Sequence, residues 1–311
     1  MRFTIKQLEY FVAAGEAGSI KLAAERIAIS QPSISSAISH IEAELQLQLF
    51  VRHHAQGLSL TSSGRRILHE AKLFLKQGEG LYAVASELNN EIRGQLSVGC
   101  MITLAPMLAP QIGHSFTNEN PGVTVRTAEG GHEEMLSMLR QVDIDVAITY
   151  DLPAQENMSF EALADLPPYI LVSSRHPLAK KRELTLKELV DEPMVLLDLP
   201  YSAQYFSSLF ESKNLAARVH ARSRNQEVVR AMVANGYGYT IANVRPKNLT
   251  AMDGRKLKAI RLTGKHKPMK IGIMTLNQTR KPLILMAFET HCRKLISDRE
   301  IPGMFQEIGH T

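Results

Sequence analysis

Along the first 60 residues apolar positions recur at helical intervals, in three short sets separated by polar breaks. The first set, Ile5, Leu8, Phe11 and Val12, stands behind the capping box Thr4-x-x-Gln7 and runs out at Gly15 and Gly18. Ser19 caps a second set, Ile20, Ala23, Ala24 and Ile27. Only Ala28 and Ile29 intervene before Ser30 caps the third, where Ile34, Ile38, Ile41 and Leu45 form one narrow stripe of an amphipathic helix. Pro32 falls in the first turn of that helix, where a missing N–H leaves no helix bond unmade. Two helices joined so tightly cross at a large angle, and Ala23 and Ala24 let the third pack close, so the pattern predicts a helix-turn-helix. The following LFVRHHAQGLSL, Leu49 to Leu60, has strand-like ends around Gln56-Gly57 and predicts a two-stranded wing.

From Thr61 to about Arg93 only Gly78 and Gly80 interrupt a helical rhythm of Leu68, Ala71, Leu75, Gly78, Tyr82, Ala85 and Leu88. Spacings of three and four sustained this long predict a helix with a coiled-coil seam for a partner, softened at the two glycines. After Gly94 short β-rich runs alternate with helical stretches: LSVGC, Leu104 to Phe116, VTVRTAE, Glu133 to Leu139 and DVAITY. This βαβαβ order predicts a mostly parallel sheet with helices on both faces. A second set follows through YILVSS, a helix opened by the capping box Thr185-x-x-Glu188, PMVLL, a helix after Pro200, RVHARS, a helix over Gln226 to Ala234, and YGYTIA. MKIGIMTL and the last helix, to Ile296, have no partners left there and return to the first set. The expected organisation is a winged helix-turn-helix over 1–60, a linker helix over 61–93 and an α/β domain over 94–311. Its two lobes, about 94–163 with 268–297 and about 164–267, meet at a cleft.

Composition narrows the class without naming it. The 311 residues suffice for two or three domains, and 44% hydrophobic with 22% charged residues is ordinary for a soluble globular chain. No apolar run is long enough to span a bilayer, and MRFTIKQLEYF lacks the features of a signal peptide, which makes the cytoplasm the default and gives the membrane no part. Cys100 and Cys292 lie too far apart in sequence to suggest a disulfide framework or zinc site, and are read as buried reduced thiols. A net charge of +5 is compatible with an anionic partner, yet residues 1–66 hold seven Lys or Arg against five Glu. Any basic surface in that segment must come from arrangement.

These residues resemble the LysR-type transcriptional regulators. The resemblance is carried by Leu8, Phe11, Ser19, Ala23-Ala24, Ser30-Gln31-Pro32, Ser35, Ile38, Glu42, Leu45, Leu49-Phe50, Arg52, Leu60-Thr61 and Gly64. It continues more thinly through Pro110, Pro121, Asp145, His176-Pro177, Leu189, Val233 and Gly236-x-Gly238. The chain departs at Gln46 and Val142, where the family usually has glycine, and at Ser36, where a basic residue often stands. What the resemblance implies is a homodimer or homotetramer that binds double-stranded DNA, a small-molecule effector in the cleft of a periplasmic-binding-protein-like domain, contact with RNA polymerase, no cofactor and no catalysis. By resemblance Gln31, Pro32 and Ser35 contact DNA. Helix geometry adds Ser33, Ser36 and Ser39, since short hydroxyls let a helix sit deep in a groove, and Arg52 reaches in from the wing. His53-His54 is open to a phosphate contact from His53 or to plain surface; adjacent strand residues point to opposite faces, which disfavours a metal.

In the cleft, resemblance marks Thr103 as an effector contact. Helix geometry agrees, because a helix beginning there would offer free N–H groups to a carboxylate and so favour an anionic effector. His132 at the start of the next helix, the loop Pro200-Tyr201-Ser202 and Thr240 complete the expected site. Other motifs fall away. Gly78-Glu79-Gly80-Leu81-Tyr82-Ala83 fits a dinucleotide pattern by letter but follows no strand, and His132-Glu133 lacks the second histidine of a zinc protease. The competing reading is a solute-binding or enzymatic α/β domain with an incidental DNA-binding module.

Overall fold

Capping side chains start each of the first three helices. Helix α1 (Ile5–Ala17) opens with a complete Thr4/Gln7 capping box, and Ser19 accepts from the Leu22 N–H to begin α2 (Ile20–Ile27). Ser30 accepts from the Ser33 N–H to begin α3 (Gln31–Leu45). The computed structural model describes residues 2–53, 57–88, 91–154, 156–277 and 281–305, without the side chains of His53, Glu79 and residues 82–88. Readings that rest on His54 or on the side chains of His53, Tyr82, Ala85 and Leu88 lie outside the described residues. Two units cluster, Met1–Gly94 with Arg140–Asp143, and Gln95–Leu139 with Ile144–Thr311.

In the first unit Leu8, Phe11, Ala23, Ile34, Ile38, Ile41, Leu49 and Phe50 share one core. Each large side chain fully withdrawn from water contributes about 1.5–3 kcal/mol by transfer. Phe11 meets Phe50 edge to face with centroids 5.6 Å apart, which ties α1 to the wing. The wing pairs β1 (Phe50–His53) with β2 (Gly57–Leu60) antiparallel. Glu42 fixes the entry to β1, its Oε1 accepting from the N–H of Leu49 at 2.7 Å and of Phe50 at 3.1 Å. Helix α4 (Ser62–Leu88) follows, running unbroken through Gly78 and Gly80 and ending short of Arg93, which already belongs to the next strand. At Gly64 an added Cβ would stand 2.0 Å from the Leu49 carbonyl oxygen, so only glycine permits this approach of α4 to the wing.

The seam expected on α4 needs correcting. Ala71 is buried in the winged-helix core, and Leu68 and Leu75 pack against it, so these three are used within the subunit. Phe74 (40% exposed) and Leu81 (74% exposed) are instead the large apolar side chains that α4 leaves open among its described ones. They stand seven residues apart, on one face.

The second unit contains two mixed sheets, not the mostly parallel arrangement that the β-α alternation suggested. The first has the order β4-β3-β5-β13-β6 and uses β3 (Arg93–Met101), β4 (Gly122–Gly130), β5 (Val146–Tyr150), β6 (Met158–Leu166) and β13 (Met269–Leu276). Strand β13 returns to this sheet antiparallel to both β5 and β6, and β3 runs parallel to β5. The second sheet has the order β10-β9-β11-β7-β12-β8, from β7 (Tyr169–Ser173), β8 (Glu183–Leu184), β9 (Pro193–Leu197), β10 (Arg218–Ser223), β11 (Tyr239–Ala242) and β12 (Leu257–Leu262). Here β11 and β12 run antiparallel to β7. The helices are α5 (Ala105–Glu119), α6 (His132–Arg140), α7 (Pro200–Glu211), α8 (Gln226–Ala234) and α9 (Leu283–Leu295). The Thr185/Glu188 capping box opens only a single 3-10 turn, Leu186–Leu189. Cys100 and Cys292 are free and buried, and burial pushes the Cys100 thiol up to about 12.

Candidate functional site

The exposed side of α3 is built from short residues because the core stripe occupies the opposite one. Ile34, Ala37, Ile38 and Ile41 are buried, whereas Gln31, Pro32, Ser33, Ser36 and Ser39 are exposed and Ser35 is half-buried. Gln31, Pro32 and Ser35 line an open concavity together with Ile20 of α2. Ser33 differs from the others: its hydroxyl is 2.7 Å from that of Ser30, so it takes part in capping. Arg52 lies on β1 with its side chain exposed. Helix α3 ends on Gln46, which adopts φ +53° and ψ +37°, the left-handed conformation that usually calls for glycine. Val142, the other departure from glycine, is likewise left-handed, with φ +60°.

In the second unit a cavity of about 40 Å³ lies at the junction of the two sheets. Thr103, Tyr150 and Met269 line it from the first sheet's side; Leu197, Ser202, Phe206, Gln226, Arg230 and Thr240 are among those lining it from the second. Thr103, Ser202 and Thr240 are thus brought together in one lining. Pro200, Tyr201 and His132 are not in the lining. Thr103 also does not begin a helix: α5 starts at Ala105 with Leu104 in the cap position and no side-chain cap. The Thr103 hydroxyl instead meets the Tyr150 hydroxyl at 2.7 Å, both residues being buried. Burial drives the Tyr150 phenol well above its usual range, so it stays protonated.

Around this cavity, buried polar groups are held by the backbone. Asn243 donates from Nδ2 to the Leu166 carbonyl at 2.9 Å, and the Tyr169 hydroxyl donates to that of Val244 at 2.9 Å. Arg230 carries the only formal charge among the lining residues. Its Nη2 donates to the Asn248 carbonyl at 2.7 Å and its Nε lies 3.4 Å from Glu227 Oε1. Sequence reading missed Tyr150, Gln226, Arg230 and Asn243. One signal was present: Arg230 falls within the buried stripe of α8, beside Val229 and Val233, where a cation is unexpected.

His132 and Tyr201 form a separate contact between the lobes. Their rings meet edge to face with centroids 4.7 Å apart, and the Tyr201 hydroxyl donates to Glu133 Oε1 at 2.7 Å. His132 Nε2 lies 2.8 Å from the Pro153 carbonyl oxygen, so that nitrogen donates. The first turn of α7 is thereby tied to the first turn of α6.

A winged helix-turn-helix ahead of a two-lobed α/β module is the arrangement of a DNA-binding transcriptional regulator. Residues 5–65 match the family model for the bacterial regulatory helix-turn-helix protein, lysR family, and residues 89–296 match that for the LysR substrate binding domain. The chain belongs to the LysR family of transcriptional regulators. It is 31% identical to the HTH-type transcriptional regulator YvbU of Bacillus subtilis over 238 residues, 76% of this chain and 80% of the relative. Among solved structures, HinK, a LysR family regulator from Pseudomonas aeruginosa, is 30% identical with a TM-score of 0.65 over 95% of this chain and 99% of its own. Full-length CbnR, solved in complex with its target DNA, shares the fold at 21% identity and a TM-score of 0.65, covering 94% of this chain and 99% of its own. Among the described residues no helix is long and apolar enough to cross a membrane.

Proposed function

We propose that this regulator reads DNA through the short-residue face of α3 and responds to a small, anionic or strongly polar effector seated between its lobes. Gln31, Pro32 and Ser35 meet base edges at the start of α3, Ser36 and Ser39 let the helix approach the groove, and Arg52 with His53 anchors phosphate from the wing. Ser33 contributes through the cap it shares with Ser30. The observation that carries the effector half is the cavity itself, lined from both lobes by Thr103, Ser202, Gln226 and Thr240, with Arg230 its only charge. These few polar groups converge in a mostly apolar lining, the pattern of a site that orients a small ligand.

An effector seated between two lobes supplies the mechanism. A ligand that binds one spacing of the lobes better shifts the population towards it, and the contacts of His132 with Tyr201 and of Tyr201 with Glu133 are what such a motion exchanges. Two half-sites need two reading helices, and the open Phe74 and Leu81 support pairing of α4 helices in a dimer, with a tetramer as a pair of dimers. The chain then acts by binding, in the cytoplasm, at promoters that RNA polymerase also occupies. A thermal-shift and calorimetric screen of small carboxylates against wild type and Thr240→Val tests the effector site. Saturable binding lost in the variant is expected; binding unchanged by Thr240→Val would move the site elsewhere.

A further inference from the structure

The positive charge of this chain is concentrated outside the helix-turn-helix segment. Residues 167–268, which contain the whole second sheet, hold 18 Lys or Arg against 8 Asp or Glu. The rest of the chain holds 18 against 23, so this segment is +10 in a chain whose total is +5. Within it, sheet pairing joins two basic runs that are distant in sequence. One is Lys180-Lys181-Arg182, leading into β8; the other is Arg255-Lys256-Leu257-Lys258-Ala259-Ile260-Arg261, most of it in β12. Strands β8 and β12 pair in parallel, and the Arg261 N–H donates to the Arg182 carbonyl at 3.2 Å. At the other end of β12 the Ser174 N–H donates to the Lys256 carbonyl at 3.0 Å, which brings Arg175 alongside.

The carboxylates in this cluster are outnumbered, and one of them, the exposed Glu183 of β8, stands opposite Arg261 in the ladder. Lys181 holds Glu188 at 2.7 Å and Arg255 lies 3.5 Å from Asp253. Arg175, Lys180, Arg182, Lys256 and Arg261 are all exposed, and none has an ion-pair partner among the described residues. Keeping five like charges together on one sheet edge raises the energy of the free protein, and a polyanion would lower it. Aromatic side chains are not interleaved with these five, which argues against stacking on single-stranded bases. Long, flexible cations on an open edge suit a regular row of phosphates.

We propose that the β8–β12 edge of the regulatory domain is a second, sequence-independent contact for duplex DNA, engaging phosphates that flank the sites read by α3. The proposal rests on the DNA-binding reading above. It favours DNA over an acidic protein because a duplex held by the N-terminal unit is tethered to the same chain, which raises its local concentration at this edge. The contact adds affinity and salt dependence without adding sequence preference.

The test compares wild type with Lys180→Gln/Arg182→Gln/Lys256→Gln/Arg261→Gln on two duplexes from the DNA upstream of the gene, one trimmed to the protected site and one with long natural flanks. A second variant, Lys180→Gln/Arg182→Gln, changes only the segment before β8 and guards against a folding defect, with thermal midpoints measured for all three. The expected result is weaker binding of the flanked duplex by about tenfold or more near physiological salt, with a salt slope reduced by about 0.9 for each phosphate that the variant no longer neutralises. The trimmed duplex should bind all three proteins alike. Equal affinities on the flanked duplex would overturn the proposal, as would an equal weakening on both duplexes. If the variants bound both duplexes normally but failed to bind polyglutamate as wild type does, the edge would be a site for acidic protein, and the DNA assignment would fall. Wild-type protein that retarded neither duplex would refute the DNA-binding reading underneath.

Discussion

Replacing Thr103 by valine keeps its shape and removes one hydroxyl, and the consequence follows from the partner left behind. Thr103 Oγ1 and Tyr150 Oη are 2.7 Å apart, with Thr103 6% and Tyr150 4% exposed. Thr103→Val therefore strands a buried phenol, at a cost of about 1–3 kcal/mol, whereas deleting both hydroxyls removes the demand as well as the supply. Thr103→Val should lose that amount, Tyr150→Phe a comparable amount, and the double variant much less than the sum. For a domain of this size each kcal/mol lowers the melting temperature by about 2–4 °C, so thermal denaturation resolves the cycle. Ligand affinity adds a second readout. If the effector bonds either hydroxyl, the double variant regains stability yet still binds weakly. Additive losses in stability would refute the pairing, and a double variant with wild-type affinity would reduce Thr103 to a structural residue.

Other consequences follow from the backbone, the linker and one surface carboxylate. Gln46→Gly should stabilise the winged-helix unit by up to about 1 kcal/mol, because glycine adopts the left-handed conformation that costs glutamine; a lower denaturation midpoint would contradict this. If α4 helices pair through Phe74 and Leu81, Phe74→Asp with Leu81→Asp should yield monomers and abolish high-affinity DNA binding, read by light scattering and gel retardation; a mass equal to that of wild type would show that α4 is not the pairing surface. The Lys181 ammonium, then the Thr185 N–H and hydroxyl, hold the Glu188 carboxyl down to about 2 from 4.5. A folded value below the unfolded one gives stability that is present above about pH 4.5 and lost as pH falls towards 2. At 41% exposure the contribution is screened to under about 1 kcal/mol. Glu188→Gln should thus be slightly less stable than wild type near neutrality and equal to it near the acid limit, and a gap that widened on acidification would show the sign to be wrong.

Local rules made the first unit legible. Capping serines, a two-residue connection and the Ile34, Ile38 and Ile41 stripe each specify one answer, and the structure contains it. The α4 seam was harder, because periodicity identifies an apolar face without saying what covers it. Leu68, Ala71 and Leu75 turned inward onto the subunit's own core, leaving Phe74 and Leu81 outside. β-α alternation likewise indicated two sheets but not the direction of each strand, so the antiparallel returns of β11, β12 and β13 were hidden. The cavity shows the limit most plainly. Thr103 and Tyr150 lie 47 positions apart and meet only because β3 and β5 are neighbours in one sheet. Nothing in the spacing of either residue announces the other.

Competitive retardation of the gene's own upstream DNA separates sequence reading by α3 from phosphate anchoring by the wing. Wild type should prefer that DNA to a scrambled duplex. Gln31→Ala should weaken the specific complex by about 1–3 kcal/mol and leave the scrambled one nearly unchanged. Arg52→Ala should weaken both alike and flatten the salt dependence by about 0.9 in slope. Wild-type protein with no preference for its own DNA, or two variants that lose affinity equally on every sequence, would contradict the account.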